Sequence, residues 1–314
     1  MVSFRKPRIN YDFDLKEQIK LLNRHKRKRS VPIHNRPTLT LCTWNIANLG
    51  LQDRTDDHYR LIVHIIKWFD VIAIQEIHDN LEGLFKLASL VGSKFELIFN
   101  DRGGNDERAA FFFNKRKVKR LAMTAEIAVP QNELKHIKVK SVKSKFKGFD
   151  RNPFIATFQF QDFKFMLINA HSYFGSNSRS HQERRILETY AIARYADLRR
   201  NDKHVYVPNI IALGDFNIPK IEKGDAIYET LVSRGLQLPE HSTQIASSIS
   251  TDNYYDQIAF FPALKKRIRS HGVFDYDGAL FEDLYDNYTT IQFNGYCRYY
   301  ISDHRPMWIE LEVD

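Results

Sequence analysis

The feature that most constrains this chain is a recurring unit in which a short apolar run closes on a polar residue capable of chemistry. Leu39-Thr40-Leu41-Cys42-Thr43-Trp44 closes on Asn45, and Ile72-Ala73-Ile74-Gln75 closes on Glu76. Leu167-Ile168-Asn169-Ala170 closes on His171, and the run from Asn209 to Leu213 leads into Gly214-Asp215-Phe216-Asn217. Runs of this length, rich in β-branched and aromatic residues, read as strands. The ends of sheet strands are where sites are commonly built.

Helical spacing separates several of the runs. Leu61, Ile62, Ile65, Ile66 and Phe69 predict one helix, and Leu81, Leu84, Phe85, Ala88 and Leu90 a second. A long helix is expected over 182–198, and Ile227–Val232 lies in another. Further strands are expected at 95–99, 109–113, 154–160, 164–169, 257–260 and 307–313. Strand–helix–strand units alternate with adjacent strand pairs, which predicts mixed sheets with helices outside them. The chain has 314 residues, 43% of them hydrophobic and 13% aromatic, enough for one large core.

Residues 1–37 differ from the rest, and we place a boundary near Thr38, with 38–314 as the main domain. Asp12 or Asp14 can cap a helix through Leu15, Ile19 and Leu22 that runs into Arg24-His25-Lys26-Arg27-Lys28-Arg29. This basic run is either a solvated helix end, a targeting signal or an extra contact to phosphates. Lys and Arg exceed Asp and Glu by 47 − 38 = 9, which favours a polyanionic partner. The stretch from Lys135 to Lys147 is the one biased loop. Two cysteines, Cys42 and Cys297, do not make a disulfide scaffold. No segment approaches the ~18 apolar residues of a membrane span, and no apolar leader opens the chain. A cytoplasmic location is the expectation.

Phosphodiester hydrolysis requires charge neutralisation on the phosphate, an oriented water and a proton for the leaving oxygen. Carboxylate and amide oxygens suit Mg²⁺, and histidines suit proton transfer near neutrality. The strand-end residues supply both kinds. Any one of them alone is more often a turn, a cap or a satisfied hydrogen-bonding group, so the case rests on the whole set in its order.

That order is Trp44-Asn45-Ile46, Gln75-Glu76, Glu107-Arg108, Asn169-Ala170-His171, Gly214-Asp215-Phe216-Asn217, Tyr255-Asp256-Gln257-Ile258 and Ser302-Asp303-His304. It resembles the endonuclease/exonuclease/phosphatase superfamily over residues 39–313, and within it the pancreatic-type deoxyribonucleases. Asn169-Ala170-His171 stands where abasic-site endonucleases carry a tyrosine motif, Glu107-Arg108 matches an E-R pair, and Arg151-Asn152-Pro153 is similar to an R-E-P segment whose arginine contacts DNA. His78 departs from the pattern, standing where those enzymes have a DNA-contacting arginine.

The resemblance implies an α/β four-layer sandwich, with two mixed sheets flanked by helices. It implies Mg²⁺, replaceable by Mn²⁺, on Glu76 with Asn45 and Asp303. It implies catalysis by Asp215 and Asn217 with two pairs, His171 with Glu107 and His304 with Asp256. Arg108, Arg151 and His78 are the candidate contacts to nucleic acid. The expected activity is endonucleolytic hydrolysis of double-stranded DNA with little sequence preference. The rivals are a phosphoesterase acting on a lipid or inositol phosphate, and an inactive binding module of the same fold.

Overall fold

The structure, a computed structural model, describes residues 3–33, 37–240 and 244–313. In chain order the elements are α1 (Leu15–Lys28), β1 (Thr38–Leu49), α2 (Asp56–Ile66), β2 (Val71–His78), α3 (Glu82–Val91), β3 (Phe95–Phe99), β4 (Glu107–Asn114) and β5 (Val118–Glu126). There follow α4 (Gln131–Leu134), β6 (Phe154–Phe160), β7 (Phe163–His171), α5 (Arg179–Arg200), β8 (Ile210–Asp215), α6 (Ala226–Val232) and β9 (Asp256–Phe260). The last are β10 (Ile268–Val273), α7 (Glu282–Asn287), α8 (Thr290–Tyr300) and β11 (Met307–Glu312).

The strands form a six-stranded sheet in the order β10-β11-β1-β2-β4-β3 and a five-stranded sheet in the order β5-β6-β7-β8-β9. β1 pairs parallel with β2 and antiparallel with β11, while β7 and β8 pair parallel and β8 and β9 antiparallel, so both sheets are mixed. One face of each sheet meets the other in a shared core that includes Leu41, Ala73, Phe111, Phe158, Phe165, Leu213 and Ile258. The outer face of the first sheet packs on helices through Ile62, Ile66, Leu84, Leu87 and Tyr296, and that of the second through Ile186, Ile192 and Leu231. This is the expected four-layer sandwich. β1 is buried along all its residues because it is covered on both faces and paired on both edges, and its sequence accordingly carries no charged residue.

The sequence reading missed β5, β10 and α8. β5 and β10 are edge strands, exposed enough to carry Lys119, Arg120, Arg269 and Ser270, so no clean apolar run marks them. α8 opens on a capping box between Thr289 and Gln292 and buries Phe293, Tyr296, Tyr299 and Tyr300.

The N-terminal segment packs on the domain. Asp14 caps α1 by accepting from the Lys16 and Glu17 amides at 2.7 and 3.3 Å. Leu22 is fully buried in the same core as Trp44 and Phe274, with Phe4, Ile9, Tyr11, Phe13 and Ile19 packed beside it. Three of the six residues 24–29 contact carboxylates, Arg29 and Arg24 as ion pairs with Asp275 and Glu282, and His25 by a hydrogen bond to Asp275 at 2.7 Å. A fourth, Lys26, lies over the Trp68 ring at 4.9 Å, and burial lowers its pKa to about 8. Leu22→Ala is therefore expected to cost about 2–5 kcal/mol. Thermal melting checks this, since a truncation on a removable tail would leave the melting temperature unchanged. Among the described residues no helix is long and apolar enough to cross a membrane, and Cys42 and Cys297 are buried free thiols.

Candidate active site

Three neighbouring strands of the second sheet deliver His171, Asp215 and Asp256 in one row, because His171 is in register with Asp215 and Asp215 with Asp256. The first sheet delivers Asn45 at β1, Glu76 at β2 and Glu107 at the start of β4, and the turn before β11 delivers His304. Facing residues therefore meet across the open end of the sandwich.

Local backbone features aim them. The β2–β4 pairing slips between Ile74 and Ile77, and Glu76 there adopts φ +59°, a left-handed conformation that turns its carboxylate off the strand line. The Asn48 amide, which sequence reading did not single out, then donates to Glu76 Oε2 at 3.0 Å. Gly214 lies at φ +139°, and a Cβ there would fall 1.9 Å from the Ala170 carbonyl oxygen, so β7 and β8 approach closely only with glycine at this position. Ser302, quoted in the sequence only as part of Ser302-Asp303-His304 and given no role there, ties the His304 turn to β1 by donating to the Asn45 carbonyl at 2.6 Å and accepting from the His304 amide at 3.0 Å.

The residues converge on Asp215. Its Oδ2 lies 3.7 Å from His171 Nε2 and 3.8 Å from His304 Nε2, and accepts from Asn45 Nδ2 at 3.1 Å. The second nitrogen of each imidazole faces its own carboxylate. His304 Nδ1 donates to Asp256 Oδ2 at 2.7 Å, and His171 Nδ1 lies 2.9 Å from Glu107 Oε2. Each pair joins one sheet to the other. Burial disfavours the His304 imidazolium, yet the charges of Asp256 and Asp215 outweigh it and hold the pKa well above the ordinary histidine value. At His171, burial and Arg151 oppose the charge, but Glu107 and Asp215 prevail and raise the pKa. Burial likewise opposes the Asp215 carboxylate, and the two histidines overcome it, lowering its pKa. Asn217 donates its amide to Asp215 Oδ1 at 2.8 Å and its Nδ2 to the Ser172 carbonyl at 2.9 Å.

The donor set fits a hard divalent cation. Glu76 Oε1 accepts from Asn45 Nδ2 at 2.8 Å, while Asn45 Oδ1 is buried without a hydrogen-bond partner. Burial and the neighbouring Glu107 charge raise the Glu76 pKa, the condition of a carboxylate short of a counter-cation. Glu76, His171 and Asp215 offer ligand atoms within 4.8 Å of one another, as do Asp215, Asp256 and His304. Asp303 sits at the rim, 4.0 Å from His304 Nε2.

The arginines and His78 are placed differently. Arg151 is 8% exposed and donates to the His171 and Ser172 carbonyls, with Glu107 3.3 Å away. Arg108 is held by Asp79 and Asp101 at 2.7 and 2.9 Å. Both guanidiniums are thus occupied by protein groups and brace the site from outside the cluster. His78 pairs in register with Glu107 at the edge of the cluster.

No family model matches the chain. A protein named deoxyribonuclease from Thioalkalivibrio sp. (strain K90mix) is 28% identical over 232 residues, which are 70% of this chain and 57% of that protein. The chain therefore spans little more than half the length of that relative. An endonuclease/exonuclease/phosphatase family protein from Bacteroides thetaiotaomicron superposes with a TM-score of 0.57 at 18% identity, over 88% of this chain and 98% of that one. The chain has the endonuclease/exonuclease/phosphatase fold. D. rerio TDP2 complexed with single-strand DNA product shares it, with a TM-score of 0.56 at 16% identity over 88% of this chain and 99% of that one. In the endonuclease/exonuclease/phosphatase fold of this chain, the motifs quoted from the sequence gather at one end of the sandwich, with Asp215 at their centre.

Proposed function

We propose that the chain is a metal-dependent phosphoester hydrolase that cuts double-stranded DNA internally, with 38–314 as the catalytic domain. The observation that carries this reading is the pair of carboxylate-backed histidines whose Nε2 atoms stand 3.7 and 3.8 Å from one buried aspartate oxygen. Glu76, Asn45 and Asp303 are the residues that would hold a hard divalent cation such as Mg²⁺ or Mn²⁺, whose chemistry when bound is to neutralise charge on the phosphate.

The rest falls to the chain's own groups. His304, the more strongly charged imidazole, holds a phosphate oxygen through Nε2–H. Asp215, kept ionised, orients the attacking water and accepts its proton, with Asn217 fixing the carboxylate. His171 passes the proton on its Nε2 to the leaving oxygen, and Glu107 fixes its tautomer and orientation. Arg151 is a positioning residue that holds the His171 strand end against Glu107. A mere binding module has no need for two such pairs held charged around an ionised carboxylate.

The test is a parallel release assay in Mg²⁺ on supercoiled plasmid, sphingomyelin and phosphoinositide. Nicking and linearisation of the plasmid, with both lipids intact, is expected. Release of phosphocholine or inorganic phosphate with intact plasmid would move the reading to a lipid or inositol-phosphate substrate.

A further inference from the structure

Two basic segments stand out in the sequence, and the structure treats them differently. In the run 24–29, Arg24 pairs with Glu282, Arg29 with Asp275, and Lys26 lies over the Trp68 ring. Residues 135–147 contain Lys135, Lys138, Lys140, Lys143, Lys145 and Lys147, and no Asp or Glu occurs between Glu133 and Asp150. All six lysines are exposed, and among the described residues none of them makes an ion pair. The contrast with neighbouring α5 is sharp, since its Arg179, Arg184, Arg194 and Arg200 each pair with a carboxylate. No carboxylate among the described residues therefore offsets the charge of these six lysines.

The segment is also held in place. Ile137 and Phe146 are buried against Leu187 and Ala191 of α5, with Val139, Val142 and Phe149 packed around them. The Ser144 amide donates to Glu183 at 3.0 Å. Apolar residues thus point inward while the lysines interleaved with them face water, which makes the segment a fixed ribbon of positive charge. Its end leads straight to the site. Asp150 follows, its amide held by Glu188 at 3.1 Å, and then Arg151, which donates to the His171 carbonyl at 3.1 Å.

We propose that residues 135–147 form a track for the phosphate backbone of a nucleic-acid chain that extends beyond the scissile phosphate. The inference rests on the nuclease reading of the site and adds where the flanking substrate lies. Flexible, strongly hydrated ammonium groups suit sequence-independent phosphate pairing, which positions a duplex without reading its bases.

The test compares the wild-type chain with the exposed triple variant K143A/K145A/K147A. Binding of a fluorescent duplex is measured by anisotropy between 50 and 200 mM salt in EDTA, so that no cleavage is needed. Each phosphate left without its lysine makes the negative slope of log affinity against log salt shallower by about 0.9, so the triple variant flattens it by about 2.7. Turnover of bis(p-nitrophenyl) phosphate, too small to reach the ribbon, should be unchanged. An unchanged salt slope overturns the proposal, as does an equal loss on the small diester. Binding of the wild type to phosphatidylserine vesicles but not to duplex would overturn it in favour of a membrane surface. If the duplex binds through the ribbon and is never cut, the track stands and the nuclease reading fails.

Discussion

Replacing Glu76, Asp215 or His304 by alanine is expected to leave a folded protein whose turnover falls by orders of magnitude. General acid–base groups contribute about 10²–10⁴-fold each, and members of a unit that acts together each cost most of the whole when removed. Asp215 makes the case most strongly, since its Oδ2 is the atom that both imidazoles and Asn45 share. Without it the histidines lose a charge that holds them protonated, and the water loses its acceptor. Asp215→Ala combined with His304→Ala should therefore fall little below either single change. The folding cost is expected to be smallest for Glu76, whose carboxylate is disfavoured by burial and by the Glu107 charge, and larger for Asp215 and His304, each of which leaves a buried partner charge behind. Steady-state kinetics paired with thermal melting checks both halves. A near-normal rate in any of the three folded variants would remove that residue from the machinery.

Chelation should have an effect of similar size. Excess EDTA is expected to abolish turnover, and Mg²⁺ or Mn²⁺ to restore it. The structural grounds are the Glu76 carboxylate, destabilised by burial and by Glu107, beside an Asn45 carbonyl oxygen that has no partner within the protein. A cation that binds only the folded chain also stabilises it, by about 2.7 kcal/mol at a hundredfold excess over Kd. Mg²⁺ should accordingly raise the melting temperature of the wild type and fail to raise that of Glu76→Gln. Undiminished cleavage in excess EDTA, or an equal melting shift in the variant, would contradict the assignment of Glu76 and Asn45.

Much of this was legible in the sequence, because the same physics writes both the fold and the site. Strands covered on both faces, such as β1 and β8, are dominated by apolar residues and threonine, so an amide or carboxylate among them is conspicuous. That is how Asn45, Glu76, His171 and Asp215 stand out. The edge strands β5 and β10 were hidden because one side of each meets solvent or ends the sheet, and polar residues are tolerated there. The supports of the site were equally hidden. Asn48 works through its backbone amide, which leaves no mark in residue type, and Ser302, although part of the Ser302-Asp303-His304 motif, links β1 to the His304 turn by a contact that spacing does not reveal. Arg108 and Arg151 show the opposite difficulty. Their residue type suits phosphate, and the fold sets Asp79 and Asp101 beside Arg108 and Glu107 3.3 Å from Arg151, neighbours that spacing along the chain does not reveal. The basic run 24–29 was open to several readings, and Asp275, some 250 residues away, draws His25 and Arg29 into the domain surface.

The most direct measurement is digestion of supercoiled plasmid in Mg²⁺ by the wild-type chain beside His171→Ala. His171 is chosen because its pairing with Glu107 joins the two sheets at the centre of the proposed chemistry. The wild type is expected to convert the plasmid to nicked and linear forms while the variant leaves it supercoiled over the same interval. Plasmid left intact by the wild type, or cut equally fast by the folded variant, would contradict the account.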